Sequence, residues 1–220
     1  MALDTTLDSF LNSSRFQRMR WLLERLEGFR ATVYPDIGGY YTIGYGHQIL
    51  GSLEKDPALQ LLNLTLQHVT EGLSQETANH LLAHDLMYRA NIQTCFNTDL
   101  EENVWIALTS FCFNVGLSRF QQSKAFKFFH LNNLYQTAES LSSWRGCEYA
   151  FSEGIAKRRL CEVMILLQKP LTIDSLFLPS KQFESPYPMT FTDDNWTKVS
   201  SPLKEEAIDL YHQYRKKFHN

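Results

Sequence analysis

No apolar run in this sequence approaches the roughly 20 residues that a bilayer-spanning helix needs, so no integral membrane segment is expected. The first residues, MALDTTLDSFLNSSRF, lack the basic start and apolar centre of a secretory signal, which gives an expectation of cytoplasmic synthesis without a signal peptide. The four cysteines, Cys95, Cys112, Cys147 and Cys161, form no C-x-x-C pair. They are read as free thiols acting as small hydrophobes. The H-E-x-x-H pattern is also missing. His80 and His84 stand four apart, but without that glutamate or a third ligand neither a metal nor a cofactor is expected. A surplus of positive charge is absent too: 21 Lys and Arg face 24 Asp and Glu, a net charge of -3. Nothing resembles a nucleic-acid footprint, so no nucleic-acid partner is expected.

What is present is enough apolar material for a real core, at 44% of 220 residues. That length allows one domain of ordinary size or two lobes sharing a core.

The most informative stretch is EGFRATVYPDIGGYYTIGYGH, Glu27 to His47. A helical pattern begins after a capping Ser13-Ser14, with Phe16, Met19, Leu22, Leu23 and Leu26 on one face, and closes at Glu27. Gly28 is a natural helix stop. Pro35, Gly38 and Gly39 punctuate a turn between two strand-like runs, Thr32 to Tyr34 and Tyr40 to Tyr45. A carboxylate at a helix end thus faces a hairpin that offers a second carboxylate, Asp36, and a hydroxyl, Thr42. That set suits glycosidic hydrolysis, in which one acid protonates the leaving oxygen and another group handles water or the developing cation. Spacing alone favours two solvated surface charges. The glycines on both sides, the clustered tyrosines and the scarcity of other charge shift the reading towards a site.

Glu27, eight residues, Asp36, five residues, Thr42, followed by Ile43-Gly44-Tyr45-Gly46-His47, resembles the catalytic segment of the phage-type lysozymes, glycoside hydrolase family 24. Phe113-Asn114-Val115-Gly116 and Gly154 with Arg158-Arg159 and Glu162 continue the likeness, which covers roughly residues 15 to 168. The resemblance implies an α+β, predominantly helical fold with two lobes. A small β-hairpin lobe is joined by a long helix to a helical lobe, with the substrate cleft between them. It implies a catalytic domain at 15–169, preceded by residues 1–14, which read as a leader with some helical character. In that domain the small lobe takes about 28–75, and the helical lobe 15–27 plus 95–169. An extension at 170–220 has no family counterpart.

The implied activity is that of a muramidase, cleaving peptidoglycan between N-acetylmuramic acid and N-acetylglucosamine. Glu27 would be the general acid, kept protonated by partial burial. Asp36 would stabilise positive charge or orient water, and Thr42 would hold that water. The family leans towards inversion, which carboxylate separation would decide. Tyr41, Tyr45 and Asn114 are expected to contact substrate, although Asn114 would also serve as a helix C-terminal cap. His47 is expected to pair with Asp85, and Arg158 or Arg159 to support Glu27. The alternative for the two arginines is a solvated basic helix face, which with Lys124, Lys127 and Lys157 would offset the net negative charge towards an anionic polymer.

The rest of the chain reads as helices. One starts at Asp56-Pro57 and carries on to Gly72. Another is capped by Ser74 and runs to about Cys95. Others start near Glu101, Ser123, Leu134 and Glu153. The 170–220 segment would pack on the body or dock an immunity or delivery protein, and a monomer is expected. Without a signal peptide, the enzyme would reach the periplasmic wall by release or secretion, as a phage endolysin or an antibacterial effector. The competing class is a non-catalytic glycan-binding or interaction protein on the same scaffold. A glycosidase acting on a chitin-like polymer would share the chemistry.

Overall fold

The computed structural model describes residues 5–36, 39–144, 146–147, 150–151 and 153–167. The extension from 170 onward lies outside the described residues. Within them the chain is predominantly helical with a small antiparallel sheet, as expected, and it divides into two compact units, 1–91 and 92–220.

In the first unit α1 (Thr5–Leu11) and α2 (Ser14–Glu27) are separated by Asn12 and Ser13. The Ser13 hydroxyl accepts the Phe16 amide at 3.1 Å, satisfying a donor that the first helical turn leaves open. The stretch expected as a leader is therefore a helix, and Leu7 from it is buried against the unit, where α1 meets α5. Phe16, Met19, Leu22 and Leu23 of α2 are buried as their spacing requires. At the other end Gly28 takes φ 71°, a left-handed value suited to glycine, and its amide bonds Glu24 O.

The sheet has the order β1 (Arg30–Pro35), β2 (Tyr41–Gly44), β3 (His47–Gln48), all antiparallel. Tyr34 pairs with Thr42, and Arg30 with Gly44. Three residues of β1 thus face one of β2, a bulge that increases local twist. Ile43 points into the core of this unit, with Ala58, Leu59, Val69, Leu73 and Leu81.

The single helix expected from Asp56 to Gly72 is two: α3 (Pro57–Leu61) and α4 (Leu66–Glu71). Asn63 breaks it with φ 53°, a left-handed conformation that asparagine tolerates. Thr65 then caps α4. Ser74 caps α5 (Gln75–Tyr88), as read from sequence, but this helix stops well short of Cys95. The amides of both Arg89 and Ala90 turn back to Asp85 O, and Arg89 Nη2 donates to Gln48 O at 2.8 Å. Arg89 is thereby drawn towards the sheet as the helix ends.

The second unit opens with a short 3-10 helix, Ile92–Cys95, and then α6 (Glu102–Val115). Buried residues cover α6 nearly all round, including Ile106, Leu108, Phe111 and Cys112, as befits a central helix. Around it lie α7 (Leu117–Gln122), α8 (Lys124–His130), α9 (Leu134–Ser142) and α10 (Glu153–Leu166), with α10 packed on both α6 and α9. Helix α7 and the two-residue strands β4 (Gly146–Cys147) and β5 (Ala150–Phe151) were not read from sequence. Phe111 meets Phe120 and Trp144 edge-on, so the aromatic residues of this region form core.

Candidate active site

Glu27 is the last residue of α2, half-buried, and its carboxylate lies over the turn between β2 and β3. A Cβ added to Gly46 would sit 3.4 Å from Glu27 Oε2 and 3.5 Å from Cδ. Gly46 has φ +88°, so its conformation favours glycine, and an added Cβ would meet the carboxylate at ordinary contact distance. The α2 terminus and the β2–β3 turn thus fix the floor beneath this carboxylate.

Asp36 and Thr42 flank the β1–β2 connection and share one partner, the backbone of Tyr40. The Tyr40 amide donates to Asp36 Oδ1 at 2.8 Å, and the Thr42 hydroxyl donates to Tyr40 O at 3.3 Å. The Asp36 amide also donates to Tyr40 O, at 2.8 Å. Asp36 is half-buried and Thr42 is buried.

Tyr34 stands on the neighbouring strand. Its Cα pairs with Thr42, which puts the two side chains on one face of the sheet. Burial pushes its phenol up first, and the negative charges of Glu27 and Asp36 add to that against the pull of Arg30. Arg30 lies over the Tyr34 ring, 5.5 Å from its centre. The sequence reading placed Tyr34 in a strand without a role.

Of the expected sugar-contacting tyrosines, Tyr41 is 64% exposed beside Thr42 and free to stack on a ligand. Tyr45 is different, and the expectation of substrate contact is corrected there. It is 3% exposed, its ring lies 5.4 Å from that of Phe29, and its hydroxyl donates to Glu24 Oε1 at 3.3 Å.

His47 meets Asp85 as the resemblance implied, Nδ1 to Oδ2 at 2.8 Å, but it has a second partner. Its Nε2 lies 3.2 Å from Asp56 Oδ1, and all three residues are buried. Burial alone would lower the imidazole. The hydrogen bonds to Asp56 and Asp85 outweigh it and raise His47 to about 9. A protonated ring donates from both nitrogens, one to each carboxylate. Burial opposes ionisation of Asp56, but the His47 hydrogen bond and the Leu50 and Leu59 amides hold it well below its ordinary range. Asp85 is likewise lowered, by His47 and His84 against its burial. Arg89 Nε lies 3.4 Å from Asp85 Oδ1 and completes the network. The sequence reading gave Asp56 the role of helix cap, which it also fills through the Ala58 and Leu59 amides. A carboxylate has lone pairs for both tasks.

The second unit holds the remaining expected residues. Arg158 Nε and Arg159 Nε each lie 3.1 Å from Glu162, on Oε1 and Oε2 respectively. The Ser110 hydroxyl donates to Glu162 Oε1 at 2.7 Å, and Arg158 Nη2 to Ser110 O at 2.7 Å. Both arginines are buried, which corrects the alternative of a solvated basic face; Lys124 and Lys127 of α8 are exposed. Arg159 also donates from Nη2 to Asn114 Oδ1 at 2.7 Å. Asn114 is not the cap of α6. That place is taken by Gly116, with φ 88°, while Asn114 sits exposed in the last turn. Among the described residues no group of three or more His, Cys, Asp or Glu is placed to hold a metal ion. None of the helices among them is long and apolar enough to cross a membrane.

A family model described as phage lysozyme matches residues 24–162, more than half of the chain. The endolysin of Bacillus phage B103 is 28% identical over 149 residues, 66% of this chain, and the match spans about half of that relative, 51%. The endolysin of Salmonella phage P22 is 29% identical over 124 residues, 56% of this chain and 77% of that one. Among solved structures, the endolysin from Escherichia coli O157:H7 phage FAHEc1 superposes with a TM-score of 0.55 at 23% identity, over 78% of this chain and 98% of that chain. That last likeness is one of fold.

Proposed function

Because the chain belongs to the phage lysozyme family, we propose that it is a muramidase that hydrolyses the β-1,4 bond between N-acetylmuramic acid and N-acetylglucosamine in bacterial peptidoglycan. What supports this reading is that the helix end bearing Glu27 rests on the β2–β3 turn, while Asp36 and Thr42 of the same small sheet region share the Tyr40 backbone.

Glu27 gives its proton to the glycosidic oxygen as the bond from that oxygen to the anomeric carbon breaks. Asp36 stabilises the positive charge that develops on the sugar, and Thr42 positions the water that bonds to the anomeric carbon. The proton released by that water passes to Asp36, so the reaction consumes one water and needs no other reactant. Inversion at the anomeric carbon is the proposed course. Tyr41 and Asn114 are the proposed sugar contacts. Positioning falls to His47 and Asp85 in one unit and to Arg158 and Arg159 in the other. The site of action is the cell wall, reached as a phage endolysin or a delivered antibacterial effector.

The test is digestion of purified sacculi by the protein and by Glu27→Gln, with the soluble fragments analysed by mass. Muropeptides ending in reducing N-acetylmuramic acid, absent with the variant, support the reading. Reducing N-acetylglucosamine ends would move the cleavage to the other glycosidic bond. No release by either folded protein, with both still binding sacculi, would favour a glycan-binding module.

A further inference from the structure

We propose that Tyr45 and Glu24 form a clasp that sets the position of the Glu27 carboxylate, making both of them positioning residues for the hydrolysis proposed above, on which this inference rests.

Glu24 and Glu27 lie three residues apart in the last turn of α2, so their side chains leave the same side of the helix. Tyr45 precedes Gly46, the residue against which the Glu27 carboxylate rests. The Tyr45 hydroxyl donates to Glu24 Oε1, closing a loop from the helix through Glu24, Tyr45 and Gly46 back to Glu27. The remaining path is covalent: Gly28 and Phe29 follow Glu27, and the Phe29 ring packs on Tyr45. Arg20 Nε lies 3.8 Å from the same Glu24 oxygen, on the helix side of the clasp. Burial, reinforced by the Glu24 charge, pushes the Tyr45 phenol up to about 12, so the donor keeps its proton over the working pH range. A buried phenol needs a partner, and here the partner belongs to the helix that carries Glu27. Phenylalanine would fill the same space without tying the turn to that helix.

The experiment compares the full chain with Tyr45→Phe, Glu24→Ala, Glu24→Gln and the double variant Tyr45→Phe/Glu24→Ala, with Glu27→Gln alongside. Sacculus hydrolysis is followed across pH, and sacculus binding and Tm are measured separately. Tyr45→Phe and Glu24→Ala should each lower kcat by about 10-fold, within the range that misplacement of a reacting group produces. KM and sacculus binding should be unchanged, and the pH profile of kcat/KM should be displaced. Glu24→Gln keeps an acceptor oxygen and should retain most of the activity. The double variant should be no worse than either single change, the mark of residues acting as one unit. Wild-type kcat and pH profile in Tyr45→Phe, or additive losses in the double variant, would overturn the clasp while leaving the muramidase reading intact. Full activity in Glu27→Gln would instead remove the reading on which the clasp rests.

Discussion

Gly46 turns its Cα towards the carboxylate of Glu27, leaving 3.4 Å between the place of an added Cβ and Oε2. The same residue has φ +88°, where an L side chain is strained by about 1–2 kcal/mol. Gly46→Ala should therefore do two things at once. It should lower Tm by a few degrees, about 2–4 °C per kcal/mol for a chain of this size. It should also reduce sacculus hydrolysis by about 10-fold, since relief of the strain at φ +88° moves the turn on which the carboxylate rests. Calorimetry and a turbidity assay check the two arms; unchanged hydrolysis would show that Glu27 tolerates displacement.

The His47 network makes stability depend on pH with a definite sign. His47 is raised from 6.5 to about 9, so its contribution is complete below pH 6.5 and is lost as pH rises through 9. That difference amounts to roughly 3 kcal/mol. Asp56 and Asp85 are lowered, so their contribution is present above about pH 4 and is lost as pH falls. Stability from this network should form a plateau between about pH 4 and 6.5. Urea unfolding at pH 6 and pH 9 should show a fall in the wild type that His47→Asn largely removes. An equal fall in the variant would assign the pH dependence to other groups.

Glu162 accepts from Arg158 and the Ser110 hydroxyl and forms an ion pair with Arg159, with no exposed surface of its own. Removing one side of a buried ion pair costs about 3–5 kcal/mol, because the cations stay buried. Glu162→Gln should destabilise the chain by about that amount in denaturant unfolding, although the two side chains differ little in size. A loss under 1 kcal/mol would mean that other partners carry the two guanidinium groups.

The cysteines should differ sharply in reactivity. Cys95 is half-buried, with Gln121 Nε2 3.4 Å from its sulfur, whereas Cys112 and Cys161 are buried. Burial pushes Cys112 up to about 12 and Cys161 higher still, which withholds the thiolate that reacts. Alkylation of the native protein, mapped by peptide mass, should modify Cys95 well before either of them. In urea the three should label alike. Early labelling of Cys112 would indicate local opening of α6.

Local rules explain which parts of this structure were readable. Ser13, Asp56, Ser74 and Ser123 announce helices because each side chain accepts an amide within three residues. Glu27, Asp36 and Thr42 can be read as a candidate group because all three fall in a short stretch spanning a helix end and a hairpin. What was missed depends on folding back. A helical pattern runs through Asn63 without showing its left-handed turn. The stop of α5 at Tyr88 depends on Arg89 reaching Gln48, 41 residues earlier. The second role of Asp56 appears only once β3 and α3 are side by side, and the engagement of the Tyr45 hydroxyl depends on Glu24, 21 residues earlier.

The tie between Asp36 and Thr42 runs through peptide groups of residue 40 and owes nothing to its side chain, which is 60% exposed. Position 40 can therefore drift freely among amino acids that keep an N–H, with proline excluded. The pairing of Asp36 with Thr42 is thus insulated from side-chain exchange at this point of the chain. A lineage can replace the ring at 40 by a charge or an amide and leave both side chains held by the same backbone.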